Sequence, residues 1–80
     1  MAEGMNFTAA TDRATRASIT LTDVALACKV SRNTVHRARM EPDDPNSRPA
    51  PDGWRTCLAK LCRARAMDLL KLAESLEPEA

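Results

Sequence analysis

The stretch TLTDVALACKVSRNTVHRAR, residues 20–39, decides the fold. Thr20 and Asp23 have the spacing of a capping box, in which the hydroxyl accepts from a first-turn amide and the carboxylate accepts from the cap amide. The pattern therefore predicts a helix over residues 21–28. Ser31 is a favourable N-cap and predicts a second helix that reaches Arg39 or Met40. Two short helices joined by so tight a turn are typical of a helix-turn-helix.

The apolar residues of this stretch fall where such a helix pair must pack. Small or branched side chains are expected to face inward from the first helix, the turn and the second helix: Val24, Ala25, Val30, Val35 and Ala38. The outer face of the second helix is then left to polar and basic residues: Ser31, Arg32, Asn33, Thr34, His36, Arg37 and Arg39. Arginine can read guanine bidentately, asparagine can read adenine, and hydroxyl groups can hold phosphates. The pattern indicates a surface for the major groove of DNA.

Residues 19–39 also resemble a known family. The runs Ile19 to Ala25, Val30-Ser31 and Thr34 to Arg37 are similar to the DNA-binding headpiece of LacI-type repressors and, more loosely, to small helix-turn-helix repressors of phages and plasmids. The resemblance implies that Arg32, Asn33 and Arg37 occupy base-reading positions, and that Thr20, Ser31 and Thr34 lie near phosphates. No hinge or sugar-binding domain accompanies the motif, so effector control of the LacI kind is not implied.

The turn departs from the family at Lys29, which stands where the family usually has glycine. A left-handed conformation at a lysine costs about 1 kcal/mol. This departure suggests either a modified turn or a compensating contact between the ammonium group and the DNA backbone.

The composition predicts an all-α fold in one small domain. The chain has 80 residues, 44% of them hydrophobic, with two glycines and no tyrosine. Alanine supplies much of the apolar content and favours helices, and little material is left for strands. A helical chain of this size has a thin core and often gains stability by forming a dimer.

The net charge of +1 conceals a block pattern. Residues 29–40 and 55–67 each carry four cations and no acid, whereas residues 41–54 and 68–80 are acidic. Two acid-free basic segments can form one positive face that suits nucleic acid, or they can be two solvated helix faces. The charge pattern alone leaves both interpretations open.

The rest of the chain divides into three parts. Residues 1–18 are expected to be an N-terminal arm, loose over residues 1–10, with a possible short helix begun by Thr11 or Asp12. Residues 41–53 are rich in proline and aspartate and are expected to form a connecting loop. A long helix is expected over residues 54–77.

One apolar stripe follows this long helix at about 100° per residue. Its members are Trp54, Leu58, Leu61, Cys62, Leu69, Leu72 and Leu76. Trp54 is expected to anchor the helix start against the helix-turn-helix, with residues 54–62 completing the domain. Arg65 interrupts the stripe, and it must pair with an acid such as Asp68, reach solvent, or mark where the stripe leaves the core. We favour the last, which makes a dimer interface of four residues: Leu69, Leu72, Ala73 and Leu76.

Several classes of protein are disfavoured. No apolar run has the roughly 20 residues of a membrane span, and no signal peptide is recognisable, so a cytoplasmic protein is expected. The cysteines Cys28, Cys57 and Cys62 form no CxxC pair and are expected to be free thiols. A metal site that joins them to His36 is disfavoured, no cofactor is expected, and the absence of a glycine-rich phosphate loop argues against an enzyme.

These observations predict a dimeric, sequence-specific regulator of transcription that binds a palindromic site in double-stranded DNA. A repressor is favoured over an activator, since 80 residues leave little room for a separate activating surface. The alternative is a helical protein-interaction module, such as a phage or plasmid accessory protein, whose basic face meets an acidic partner.

Overall fold

The computed structural model describes residues 5–77, and among these the chain forms four α-helices and no strand. They are α1 (Phe7–Arg16), α2 (Leu21–Cys28), α3 (Arg32–Ala38) and α4 (Trp54–Leu76). The all-α prediction is confirmed, and the expected bounds of α2 and α4 agree closely with those observed. The start of the predicted N-terminal arm, residues 1–4, and the end of the acidic segment 68–80, residues 78–80, lie outside the described residues.

The first helix begins earlier than the sequence analysis expected. Asn6 caps it by accepting a hydrogen bond from the Ala9 N–H at 2.8 Å. Phe7, Ala10, Thr11 and Ala14 are its buried residues. Residues 7–10 are therefore helical, with Phe7 and Ala10 in the core, and their assignment to a loose arm was wrong. The i, i+3, i+4, i+7 spacing was present in the sequence, but it included a threonine, which looked polar. Thr11 is fully buried because its hydroxyl donates to the Phe7 carbonyl oxygen at 2.9 Å.

Both α1 and α2 end in a left-handed residue that is not glycine. Ser18 has φ 72° and Lys29 has φ 60°. The Ile19 N–H donates to the Ala14 carbonyl at 2.9 Å, and the Val30 N–H donates to the Ala25 carbonyl at 3.0 Å. These six-to-one hydrogen bonds are those of Schellman motifs, which satisfy carbonyl groups at a helix C-terminus. Lys29 thus adopts the left-handed conformation despite its cost, and the turn is not modified.

The core lies between α2, α3 and the first half of α4, and α1 covers one side of it. Val24 and Val35 are completely buried, and Leu58 supplies the buried side chain of α4. The Trp54 ring meets the Phe7 ring edge to face, with centroids 5.2 Å apart. The aromatic contact of Trp54 is therefore made with α1, and Trp54 also packs against the core to which Val24 and Val35 of the helix-turn-helix belong.

The second half of α4 packs on nothing within the described chain. Every residue of the segment 66–77 is exposed, and we call this segment the exposed half of α4. The radius of gyration is 15.1 Å, above the roughly 12 Å of a compact domain of this length. A 23-residue helix is about 35 Å long, and it gives the molecule a long axis of 57 Å.

Arg65 stands where the stripe leaves the core, as the sequence analysis favoured, but it is also paired. Its guanidinium donates to the Asp23 carboxylate at 3.2 Å and to the Ser18 carbonyl at 3.4 Å. Asp68, the acid considered from the sequence, is not its partner.

Candidate nucleic-acid interface

A three-residue turn connects α2 to α3. Val30 packs against the core from this turn, and Ser31 caps α3 by accepting from the Thr34 N–H at 3.0 Å. The hydroxyl groups of Ser31 and Thr34 also lie 3.0 Å apart. This pairing holds two hydroxyl groups together at the exposed start of α3.

Helix α3 buries one residue and exposes its polar face. Val35 is fully buried, whereas Arg32, Asn33 and His36 are exposed. These three side chains and Leu21 line a shallow concave surface of about 360 Å³. Among residues 5–77, no hydrogen bond or ion pair engages the side chains of Arg32, Asn33 or His36. The structure therefore brings three of the predicted contact residues together with their polar groups free.

The turn and α3 carry basic residues and no acidic ones. Lys29 is exposed at the turn, and α3 contains two arginines, a histidine and no acid. The nearest acid before the turn, Asp23, is occupied by Arg65 and by the Thr20 backbone. The turn and α3 therefore attract anions with no carboxylate of their own, and the nearest acid after them is the exposed Glu41 of the connecting loop.

Thr20 is exposed at the start of α2, and its capping box is confirmed. The Thr20 hydroxyl accepts from the Asp23 N–H at 3.0 Å, and the Asp23 carboxylate accepts from the Thr20 N–H at 3.0 Å. Hydrogen bonding from the Thr20 backbone, and then from Arg65, holds the pKa of Asp23 below its ordinary value of 3.8. The Thr20 hydroxyl also hydrogen-bonds to the Asp23 carboxylate and contributes to the lowering of its pKa.

Two predicted contact residues are less accessible to DNA than Arg32, Asn33 and His36. The Arg39 guanidinium forms an ion pair with Asp12 of α1, and its Nε atom is buried without a hydrogen-bond partner among the described residues. Arg39 therefore joins α3 to α1 instead of standing free for phosphate, which corrects the sequence analysis. Arg37 is half-buried, so less of its side chain reaches the surface than Arg32 presents.

One cation beside α3 was not among the contact residues predicted from the sequence. The Arg48 N–H donates to the Arg37 carbonyl oxygen at 3.2 Å, which ties the connecting loop to the end of α3. Arg48 is exposed there. Its only sequence signal was its position as the single cation of the acidic segment 41–54.

The cysteines and the histidine do not form a metal centre in the part of the chain that the structure describes, since no three metal-binding side chains come together there. Burial raises the pKa of the Cys28 thiol, and the neighbouring Cys57 raises it further. Cys62 is exposed on α4. Among residues 5–77, no helix combines the length and apolar character needed to cross a membrane.

No protein-family model matches the chain, and neither a curated protein nor a solved structure was found that is significantly similar to it. The geometry and charge of the α2–turn–α3 unit are therefore the features of the chain that point to a function.

Proposed function

We propose that this protein is a sequence-specific regulator of transcription, a dimeric repressor that reads the major groove of double-stranded DNA with residues 31–40. The observation that carries the proposal is the division of α3 into two faces. Val35 is buried in the core, while Arg32, Asn33 and His36 are exposed with free polar groups.

The exposed side chains suit base recognition. An arginine such as Arg32 can donate two hydrogen bonds to the O6 and N7 atoms of guanine, and an asparagine such as Asn33 can pair with the N6 and N7 atoms of adenine. Arg37 supplies a further, half-buried guanidinium on the same helix. His36 can donate to a base edge or to a phosphate oxygen.

A second set of groups suits the phosphate backbone. The hydroxyl groups of Thr20, Ser31 and Thr34 lie at the starts of α2 and α3, and Lys29 is exposed in the turn between them. Such contacts fix the position of a protein on the duplex without reading its sequence. Arg39 is left out of this set, because Asp12 occupies its guanidinium.

A dimer follows from how little one such helix can read. A single recognition helix contacts roughly 4 to 5 base pairs, too few for useful selectivity, whereas a two-fold dimer presents two helices to successive major grooves of a palindrome. Four residues in the exposed half of α4 are the proposed interface: Leu69, Leu72, Ala73 and Leu76.

Selection from a pool of random duplexes, followed by footprinting, tests the proposal. We expect an inverted repeat to be enriched, with an affinity that falls steeply as salt rises. The combined variant Arg32→Ala with Asn33→Ala should lose the preference for that repeat. Lys60→Ala is the matched control, since it removes an exposed cation of α4 and should retain the preference.

Weak binding of equal strength to all duplexes would contradict the proposal. It would favour the alternative, a helical protein-interaction module whose basic face meets an acidic partner.

A further inference from the structure

We propose that the exposed half of α4 pairs with the same segment of a second copy in the antiparallel direction. The starting observation is a line of leucines. Leu69, Leu72 and Leu76 continue the stripe on which Leu58 lies, yet they are 53–70% exposed, whereas Leu58 is 7% exposed. A ridge of large apolar residues at helical spacing is a surface that another helix can cover.

The charges of α4 indicate that a second copy of the chain fits against this ridge. Residues 55–65 carry four cations and no acid, whereas the exposed half carries three acids and one lysine. A second copy laid antiparallel brings its acidic end toward the basic segment of the first. A parallel copy would place acids beside acids and cations beside cations. Antiparallel pairing also opposes the two helix dipoles favourably.

A specific register pairs Leu69 with Leu72 and satisfies the charges, and it places Leu76 beside the partner's Arg65. If Leu69 contacts the partner's Leu72, the two-fold axis passes between positions 70 and 71. At about 100° per residue, Asp68 then lies on the same flank as the partner's Lys71, and Glu77 lies on the same flank as the partner's Arg63. Symmetry repeats each pair. Within residues 5–77, Asp68, Lys71, Arg63 and Glu77 form no ion pair in the chain itself.

This register sets the distance between the two domains. The buried part of α4, near Leu58 and Leu61, lies about 11 residues from the axis, so the two cores stand roughly 33 Å apart along the helix direction. Two half-sites one DNA turn apart are separated by about 34 to 36 Å. This match in spacing depends on the proposed function, but the antiparallel pair itself does not.

Sedimentation of the full chain tests the interface. We expect a concentration-dependent dimer, because three leucines per copy make a small contact. Leu69→Asp with Leu72→Asp should give a monomer with unchanged helix content by circular dichroism. Met67→Asp is the matched control: Met67 is 54% exposed but lies on the opposite face of α4, so this variant should still form the dimer.

Cysteine cross-linking tests the direction. In a Cys62→Ser background, Leu69→Cys should form a disulfide-linked dimer, since the two copies of position 69 are offset by only about 4.5 Å along the helix. Leu76→Cys should not, since its copies are offset by roughly 17 Å. A parallel pair would cross-link both variants.

Charge exchange tests the register. Asp68→Lys alone and Lys71→Asp alone should each weaken dimerisation by about tenfold, and the two together should restore it. A monomeric parent, a dimer that survives Leu69→Asp with Leu72→Asp, or cross-linking through Leu76→Cys would overturn the inference. An antiparallel dimer that selects no DNA sequence would leave the inference standing and refute only the proposed function.

Discussion

Asp23 and Arg65 join the capping of α2 to the point where α4 leaves the core. One carboxylate oxygen of Asp23 accepts from the Thr20 N–H at 3.0 Å and from the Arg65 guanidinium at 3.2 Å. Arg65 follows the buried Leu58 and precedes the exposed half of α4. The pair explains why a charged residue interrupts an apolar stripe, and it fixes the helix-turn-helix against the helix that we propose forms the dimer.

The stability of the protein should fall in acid partly through Asp23. Its pKa in the folded state lies below the ordinary value of 3.8, so the unfolded state takes up the proton first as the pH falls. The resulting stabilisation is fully present above the ordinary pKa and is lost as the pH falls through the folded-state pKa. In urea unfolding followed by Trp54 fluorescence, Asp23→Asn should flatten the decline below about pH 4. Asp43→Asn, which changes an exposed loop acid, should keep the parent's slope.

Replacement of Lys29 by glycine should stabilise the fold. Lys29 has φ 60°, and glycine adopts this conformation without the cost of about 1 kcal/mol that other residues incur. We expect Lys29→Gly to melt about 4–8 °C above Lys29→Ala. Both variants remove the ammonium group, so the comparison isolates the backbone. Equal melting temperatures would show that the turn relaxes in some other way.

Phe7 should prove essential to the core. It is 4% exposed and packs edge to face on Trp54, so Phe7→Ala should lower the free energy of unfolding by about 3–5 kcal/mol. Arg13→Ala, at an exposed position of the same helix, should change it by less than about 0.5 kcal/mol. A small effect of Phe7→Ala on the free energy of unfolding in denaturant would show that the first residues of α1 do not contribute to the core.

Individual substitutions on α3 and in the turn before it should separate base recognition from phosphate contact. Arg32→Ala, Asn33→Ala and Arg37→Ala should each lose about 1–3 kcal/mol for one preferred base pair, because a bidentate contact disappears. Lys29→Ala should weaken binding to all duplexes alike and lower the salt slope by about 1. Titrations of operator variants at several salt concentrations measure both quantities. If Arg37→Ala kept every base preference, the assignment of Arg37 to the groove would be wrong.

The thiols of Cys28 and Cys62 should react at different rates. The pKa of Cys28 is raised by burial and by Cys57, so less of it is thiolate at neutral pH, while Cys62 is exposed. Iodoacetamide labelling read by peptide mass spectrometry should therefore modify Cys62 before Cys28. In urea the two rates should converge, and a difference that persisted there would point to local sequence instead of the fold.

The helix boundaries that depend on local hydrogen bonds could be predicted from the sequence. The capping box of Thr20 and Asp23 and the cap at Ser31 each join residues three positions apart. Such bonds depend on the order of neighbouring residues and not on the rest of the chain, so the bounds of α2 and the start of α3 could be predicted. The stripe of α4 likewise depends on helical periodicity, and the stop near Leu76 was close to that observed.

Contacts between distant parts of the chain were decided by packing. The Arg65–Asp23 pair spans 42 residues and the Arg39–Asp12 pair spans 27. Which acid a given arginine meets depends on how the helices lie against one another, and several acids were equally possible by charge alone. The same holds for Phe7, whose burial depends on Trp54, and for Thr11, whose hydroxyl is satisfied within its own helix and can therefore be buried. The sequence thus determined α2, the start of α3, the extent of α4 and the polar face of α3. The tertiary structure decided where α1 begins, which charges are paired within the fold and which are left free at its surface.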